Sequence, residues 1–322
     1  MKAVVFHQPG DASVLQIEER EIPSPKRNEV LIKVSAAGMN RADIAQRKGN
    51  YPAPEGAVQD ILGLEVSGII HKKGDAVKQW NIGDEVCALL PGGGYAEYAV
   101  ADAGSCLPIP SGFCLKDAAA LPEVLFTVWQ TIFQRGALQK DETAMIYGGS
   151  GGIGSMAIQL VHLYGSKAIA VAGSEEKENY CNYLGAYKTV NYNKEDLLEQ
   201  LSPNTIDVIL DSVGGQYLET NLALLKKEGR LVYINAMNGG FPKLNIFRMM
   251  QKRISITGAT LRMRSPEFKE NLALEILKNA YPLIEHEDFK NLVRNRLPFT
   301  QVAEAHALMD SRAFFGKIIL CF

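Results

Sequence analysis

Ala144-Met-Ile-Tyr-Gly-Gly-Ser-Gly-Gly-Ile-Gly-Ser-Met-Ala-Ile-Gln-Leu160 is the stretch from which the rest of the chain can be read. It opens as an apolar run short enough for a buried strand. It then passes through Gly149, Ser150, Gly151, Gly152, Ile153 and Gly154, which spell G-x-G-x-x-G. Beyond the turn, Met156, Ile158, Leu160, Val161 and Leu163 fit a packed helix. Strand, glycine turn and helix in that order are the context in which this motif signifies dinucleotide binding. The early glycines let the backbone turn tightly and approach a pyrophosphate. Gly154 lets the helix lie close to the strand, and the free N–H groups at the positive end of the helix dipole meet the phosphates. A glycine turn that binds nothing is the plain alternative, and the flanking pattern disfavours it.

With 322 residues the chain has room for about two domains, and an apolar content of 47 % suffices for their cores. A net charge of −2 points to neither nucleic acid nor an anionic membrane surface. Cys87, Cys106, Cys114, Cys181 and Cys321 are odd in number and contain no C-x-x-C pair. That argues against a disulfide framework and a zinc ribbon, and for reduced thiols in a cytoplasmic protein. The first residues, Met-Lys-Ala-Val-Val-Phe-His, read as a strand and not as a signal peptide. The longest apolar stretch, Ala118 to Phe133, is interrupted by Pro122, Glu123 and Gln130 and is too short and too polar to span a bilayer.

Residues 1–110 read as β-rich, with strands expected at 2–7, 29–35, 62–71, 84–90 and 95–100 and turn signals between them. Residues 116–120 and 125–133 carry helical patterns broken at Pro122. From residue 140 onward strands and helices alternate, and that βαβ rhythm predicts a parallel, doubly wound sheet. Amphipathic helices at 267–279 and 302–309 follow, and then a last strand at 316–320. A lone strand beyond the nucleotide domain is expected to return to the first domain.

Three other segments bear on identity: Ala37-Gly-Met-Asn40-Arg-Ala-Asp43 with Arg47-Lys-Gly-Asn-Tyr51, Gly63-Leu-Glu65-Val-Ser-Gly68, and Leu90-Pro-Gly-Gly-Gly94. With the glycine turn they resemble the zinc-free quinone oxidoreductases of the medium-chain dehydrogenase/reductase superfamily, most nearly the zeta-crystallin-related, stress-inducible quinone reductase subgroup. The resemblance runs over nearly the whole chain. It implies an α/β architecture, with a GroES-like, partly β catalytic domain at 1–120 and 265–322 and a Rossmann domain with a doubly wound parallel sheet at 121–264. It also implies a cofactor in the cleft between the domains and a homodimer or tetramer, with a homodimer expected here.

Zinc-dependent relatives place a cysteine where this chain has Asn40 and Gly-His-Glu where it has Gly63-Leu-Glu65. Leucine cannot ligate a metal and an amide is a poor zinc ligand, so no metal is expected. Glu65 reads either as a leftover structural acid or as a functional one. Without a Lewis acid, alcohol oxidation is disfavoured, whereas a quinone or activated C=C needs only one or two hydrogen-bond donors at the oxygen that gains charge. For the cofactor, no carboxylate sits at the tip of the second Rossmann strand, which ends in Gly173 and Ser174. Lys177 and Tyr192 follow, and a hydroxyl, an ammonium and a phenol suit the 2′-phosphate of NADPH. The resemblance implies a lysine and a tyrosine in that role. Glu175 and Glu176 keep NADH open.

By the same resemblance Tyr51 and Asn40 are the catalytic candidates, Tyr51 as a hydrogen-bond donor to the substrate and Asn40 orienting substrate or cofactor ribose. Thr127 is expected at the nicotinamide end. Ser212, Val213, Asn235, Met237, Thr260 and Leu261 lie at carboxyl ends of strands, where open α/β sheets bind ligands. Asp43 and Arg47 are spaced for an i,i+4 pair. The five histidines form no metal or base constellation. The leading function is NADPH-dependent quinone reduction. The alternatives are an NADPH-dependent enone or enoyl-thioester reductase, for which Lys252, Arg253, Arg262 and Arg264 would form a basic patch, and a non-catalytic, crystallin-like NADPH-binding protein. The partners are then a small-molecule quinone or enone, with no nucleic acid and no membrane.

Overall fold

A computed structural model describes residues 1–311 and 313–322. Its contacts separate two compact units: Met1–Phe126 with Arg262–Tyr281 and Asn291–Phe322, and Thr127–Leu261 with Pro282–Lys290.

In the second unit the alternating pattern becomes a six-stranded, wholly parallel sheet. The order is Lys188–Asn191, Lys167–Ala172, Thr143–Tyr147, Ile206–Asp211, Leu225–Tyr233, Ser255–Gly258. Thr143–Tyr147 and Ile206–Asp211 sit in the middle, and the latter is buried along its whole length. Helices cover such sheets on both faces, so their strands read as continuous apolar runs. The core gathers Met145, Ile169, Val190, Ile209, Leu222 and Leu231. The helical run is divided at Pro122 as expected: Asp117–Ala120 is one short helix, and Pro122 opens the next, Pro122–Val128, where its missing N–H is no loss. The chain then widens into a π-helical stretch, Trp129–Arg135. The segment 282–290, expected with the first domain, packs in this unit: Gln159 donates to the Lys290 carbonyl at 3.1 Å and accepts from its N–H at 2.6 Å.

The first unit is built on Glu29–Gly38, a long strand flanked on one side by Glu65–Lys73. Its other edge is shared end to end by Tyr98–Asp102 and Lys317–Cys321, both antiparallel. Glu85–Leu89 and Cys106–Pro108 extend the sheet one way, and Val293–Pro298 extends it parallel to Lys317–Cys321 the other way. The C-terminal strand thus lies in the interior of this sheet. Gln16–Glu19, Cys106–Pro108 and Val293–Pro298 are strands that the apolar pattern does not reveal. The first is almost wholly exposed, the second has three residues, and the third is a polar edge strand ending in proline.

Leu320 is fully buried in this core, whereas Leu274 is 60 % exposed. Leu320→Ala is expected to cost about 2–5 kcal/mol, and Leu274→Ala no more than about 0.5 kcal/mol. Urea unfolding of the two variants checks this; equal losses would mean that the last strand is not part of the core.

Candidate functional site

The glycine turn follows Thr143–Tyr147 and runs into the helix Gly152–Leu163. Gly148 has φ +68°, a left-handed backbone that favours glycine. A Cβ on Gly154 would lie 2.6 Å from the Gly149 Cα, and one on Gly149 would lie 2.8 Å from the Ala170 Cβ. Turn, helix and neighbouring strand therefore approach as closely as backbone permits. Gly151 is the N-cap and brings no side chain to cap the helix, so the first N–H groups are left for a ligand.

At the tip of Lys167–Ala172 a Cβ on Gly173 would overlap the Tyr192 phenol, so glycine is what lets Tyr192 lie over this strand end. Asn193 fixes the loop by donating to the Gly173 carbonyl at 2.8 Å. The Ser174 hydroxyl accepts from the Lys177 N–H at 3.3 Å and caps the helix Glu175–Tyr183. Lys177 stands in the first turn of that helix, and Tyr192 is half exposed. Glu175 is exposed and lies 3.8 Å from Lys194.

Buried Asp211 shapes the end of Ile206–Asp211. It accepts from the Val213 and Gly214 N–H groups at 2.7 and 2.9 Å, folding Ser212 and Val213 into a tight turn. Asn221 donates to its other oxygen at 2.9 Å and accepts from the Tyr147 hydroxyl at 2.8 Å. Asn235 and Met237 are exposed beyond the next strand. Thr260 is exposed, its carbonyl accepting from Gln130, and Leu261 is buried. Thr127 is buried in Pro122–Val128.

In the first unit Asn40 ends up bound on both sides of its amide. Its Oδ1 accepts from Lys317 Nζ at 2.8 Å, and its Nδ2 donates to Glu65 Oε1 at 2.9 Å. Lys317 Nζ also reaches Glu65 Oε1 at 2.5 Å and the Met39 carbonyl at 2.9 Å. The second Glu65 oxygen accepts from the Glu123 N–H at 2.8 Å. A Cβ on Gly38 would overlap the Glu65 carboxylate, so that glycine makes the room. Asn40 also precedes the helix Arg41–Arg47, and there Asp43 takes over the capping by accepting from the Asn40 N–H at 2.8 Å.

The expected Asp43–Arg47 pair is not what forms. Asp43 also accepts from Gly63 N–H and the Tyr95 hydroxyl, and burial raises its carboxyl to about 6. Arg47 instead grips Asp310 at 2.8 Å, the Gly10 carbonyl and His306 Nδ1. A guanidinium only donates, so His306 Nδ1 accepts and the proton sits on Nε2. Burial, then Arg47, pushes this histidine down to about 3.

Tyr51 lies under the Arg262 guanidinium, 5.3 Å from the ring centroid. Arg262 is locked by the Pro91 carbonyl at 2.8 Å and Gln46 Oε1 at 2.7 Å, and it reaches the Tyr51 carbonyl at 3.4 Å. Burial, then the Glu123 carboxylate, raises the Tyr51 phenol above its usual value, so it is protonated at neutral pH. Burial and Glu65 raise Glu123 itself to about 7.

Lys317, Glu123 and Asp211 were not among the residues the sequence singled out for the site, and Arg262 was considered only for a basic patch. One signal was present: a lysine heads the otherwise apolar Lys-Ile-Ile-Leu-Cys strand. Each residue considered for a basic patch is already engaged within its own unit. Lys252 donates to the Leu222, Ala223 and Leu225 carbonyls at the end of the helix Tyr217–Leu224, Arg253 pairs with Glu228, Arg262 is buried, and Arg264 stacks on Phe268.

Two domain families match. The zinc-binding dehydrogenase family covers residues 152–278, and the alcohol dehydrogenase GroES-like domain covers 26–111. Quinone oxidoreductase of Rattus norvegicus is 29 % identical over 327 residues, spanning 99 % of this chain and 97 % of the relative. The chloroplastic NADPH-dependent alkenal/one oxidoreductase of Arabidopsis thaliana is 29 % identical over 335 residues, spanning 99 % and 79 %. The crystal structure of Escherichia coli quinone oxidoreductase complexed with NADPH matches with a TM-score of 0.86 at 27 % identity, covering all of both chains.

The raised carboxyls set a pH dependence of stability. Glu123 goes from an ordinary 4.5 to about 7 and Asp43 from 3.8 to about 6. Between about pH 4 and 7 the native state therefore binds more protons than the unfolded chain, and these two groups make stability fall as pH rises through that window. Glu123→Gln removes its share. The fall in urea midpoint between pH 5 and pH 8 is expected to be smaller in this variant than in the parent; an unchanged fall would show that Glu123 titrates normally.

Proposed function

We propose that the chain is a zinc-free quinone oxidoreductase of the medium-chain dehydrogenase/reductase superfamily, similar over 99 % of its length to quinone oxidoreductases, and that it reduces quinones with NADPH. It is an oxidoreductase of the NADPH-dependent kind. The observation that carries the cofactor reading is the uncapped start of the helix Gly152–Leu163, at a turn where neither Gly149 nor Gly154 has room for a side chain. Zinc does not suit the Asn40–Glu65 position: an ammonium 2.5 Å from the carboxylate and 2.8 Å from the amide oxygen occupies the donors a dication would need.

When bound, NADPH supplies a hydride. Gly149 to Gly154 hold the pyrophosphate on the helix N-terminus, with Ser150 and Ile153 in the same turn. Lys177, Ser174 and Tyr192 around Gly173 receive the 2′-phosphate, and Thr127, Ser212, Val213, Asn235, Met237, Thr260 and Leu261 line the remainder. Tyr51 keeps its proton and donates a hydrogen bond to the substrate oxygen that gains charge, and Asn40 offers an amide N–H. A neutral donor of this kind at an oxyanion site is worth about 10²–10³ in rate at best. A quinone spreads the incoming charge over a conjugated ring and needs no more.

A second reading, reduction of an activated C=C, is favoured by the similarity to the plant alkenal/one oxidoreductase. It places the same demands on Tyr51 and Asn40.

NADPH oxidation with quinones and with small enones is the deciding assay. Turnover of quinones at tenfold or greater kcat/KM is expected; turnover of enones alone would establish the second reading, and turnover of neither would remove both. Tyr51→Phe is expected to lower kcat about 10- to 100-fold, and unchanged kinetics would take the phenol out of the reaction. Lys177→Ala is expected to weaken NADPH at least tenfold while changing NADH little, as measured by cofactor fluorescence titration. Equal losses on both cofactors would refute its phosphate role.

A further inference from the structure

We propose that Lys317 is a positioning residue for this site: its buried ammonium locks the Asn40 amide in one of its two orientations and so decides which Asn40 atom is offered to the reaction. The inference rests on the reading that Asn40 serves the reduction.

The geometry comes from three neighbouring strands. Asn40 follows Glu29–Gly38, Glu65 opens the strand on one side of it, and Lys317 opens the strand on the other. Residues far apart in sequence thus meet at one end of the sheet. The Lys317 and Glu65 side chains are 2 % and 0 % exposed. An ammonium has three N–H donors, and all three are used, on Glu65 Oε1, Asn40 Oδ1 and the Met39 carbonyl. Lys317 therefore has nothing left to give a ligand and acts only through its neighbours.

The amide orientation follows from the charges on either side. With Oδ1 toward the ammonium and Nδ2 toward the carboxylate, both contacts are attractive. A flipped amide would set an NH₂ against an ammonium and a carbonyl oxygen against a carboxylate. The assignment is thus fixed by chemistry and not by the shape of the group. One Nδ2 hydrogen goes to Glu65, and the other has no acceptor among the described residues. That hydrogen is the single donor the network delivers. Glu65 cannot withdraw, because its second oxygen is held by the Glu123 N–H.

Removing Lys317 alone would leave a buried, uncompensated carboxylate and risks unfolding. The test therefore uses the paired variant Lys317→Met/Glu65→Gln, in which both charges go and the introduced amide oxygen can still accept from Asn40 or from the Glu123 N–H. This variant is expected to melt within a few degrees of the parent. Its kcat with NADPH and a quinone is expected to fall about 10- to 100-fold, with the Kd for NADPH changed less than twofold. Asn40→Ala is expected to lose kcat to a similar degree, and combining all three changes is expected to cost no more than Asn40→Ala alone, because a residue that acts through another is non-additive with it.

A paired variant with native kcat would make Lys317 a purely structural charge, and so would losses that multiply with those of Asn40→Ala. Native kcat in Asn40→Ala would remove the amide from the reaction and Lys317 with it. A parent protein that reduces neither quinones nor enones would instead overturn the functional reading itself, before any variant is compared.

Discussion

Glu65 has no exposed side-chain surface, and everything around it in the first unit answers to that. A carboxylate taken out of water is costly unless a partner charge and hydrogen bonds replace its solvation. Here the replacement is complete: one ammonium, one amide N–H and one backbone N–H. Such a pair is weak evidence for stability, since apolar residues of similar volume often do as well. It is a strong constraint on geometry, because each partner must come from a fixed place. The ammonium comes from 252 residues away, which requires the final strand to lie against the strand that leads into Asn40. It also requires glycine at position 38, where any side chain would take the space of the carboxylate.

A different constraint governs the second unit. Close packing of helix on strand needs glycines at 149 and 154, and the turn between them needs a left-handed residue at 148. These are steric demands, local in sequence, and they leave a helix start without a side-chain cap. Asp211 makes the corresponding turn at the neighbouring strand by a polar route, holding two successive N–H groups with one carboxylate oxygen. Each strand end is thereby shaped by the residues within a few positions of it.

That difference in range explains what the sequence revealed. The parallel sheet and its glycine turn were legible because their signals are local: apolar runs of strand length and glycines at fixed spacing. Gln16–Glu19 and Val293–Pro298 escaped because edge and surface strands need no apolar alternation. Asn40, Glu65 and Tyr51 came into view only through likeness to a family. Lys317 and Glu123 did not, and Arg262 was considered only as a surface charge, since nothing near them in sequence says what they will meet. The Asp43–Arg47 spacing shows the converse error: a helical i,i+4 pair is only worth a few tenths of a kcal/mol, and buried partners from other segments displace it on both sides.

The two kinds of constraint together bear on the chemistry. In the first unit the cations nearest the proposed donors are already committed: Lys317 to Glu65, Asn40 and Met39, and Arg262 to Pro91, Gln46 and the Tyr51 carbonyl. What these cations support are neutral donors, an amide N–H and a phenol whose proton is held by burial. Neutral donors stabilise an oxygen whose charge is spread by conjugation better than they stabilise a localised alkoxide, which asks for a full positive charge at contact distance. A chain whose buried cations serve to orient neutral groups is therefore suited to hydride acceptors of the quinone or enone kind. That preference follows from the hydrogen-bond inventory of one sheet end, independently of how the nucleotide is held.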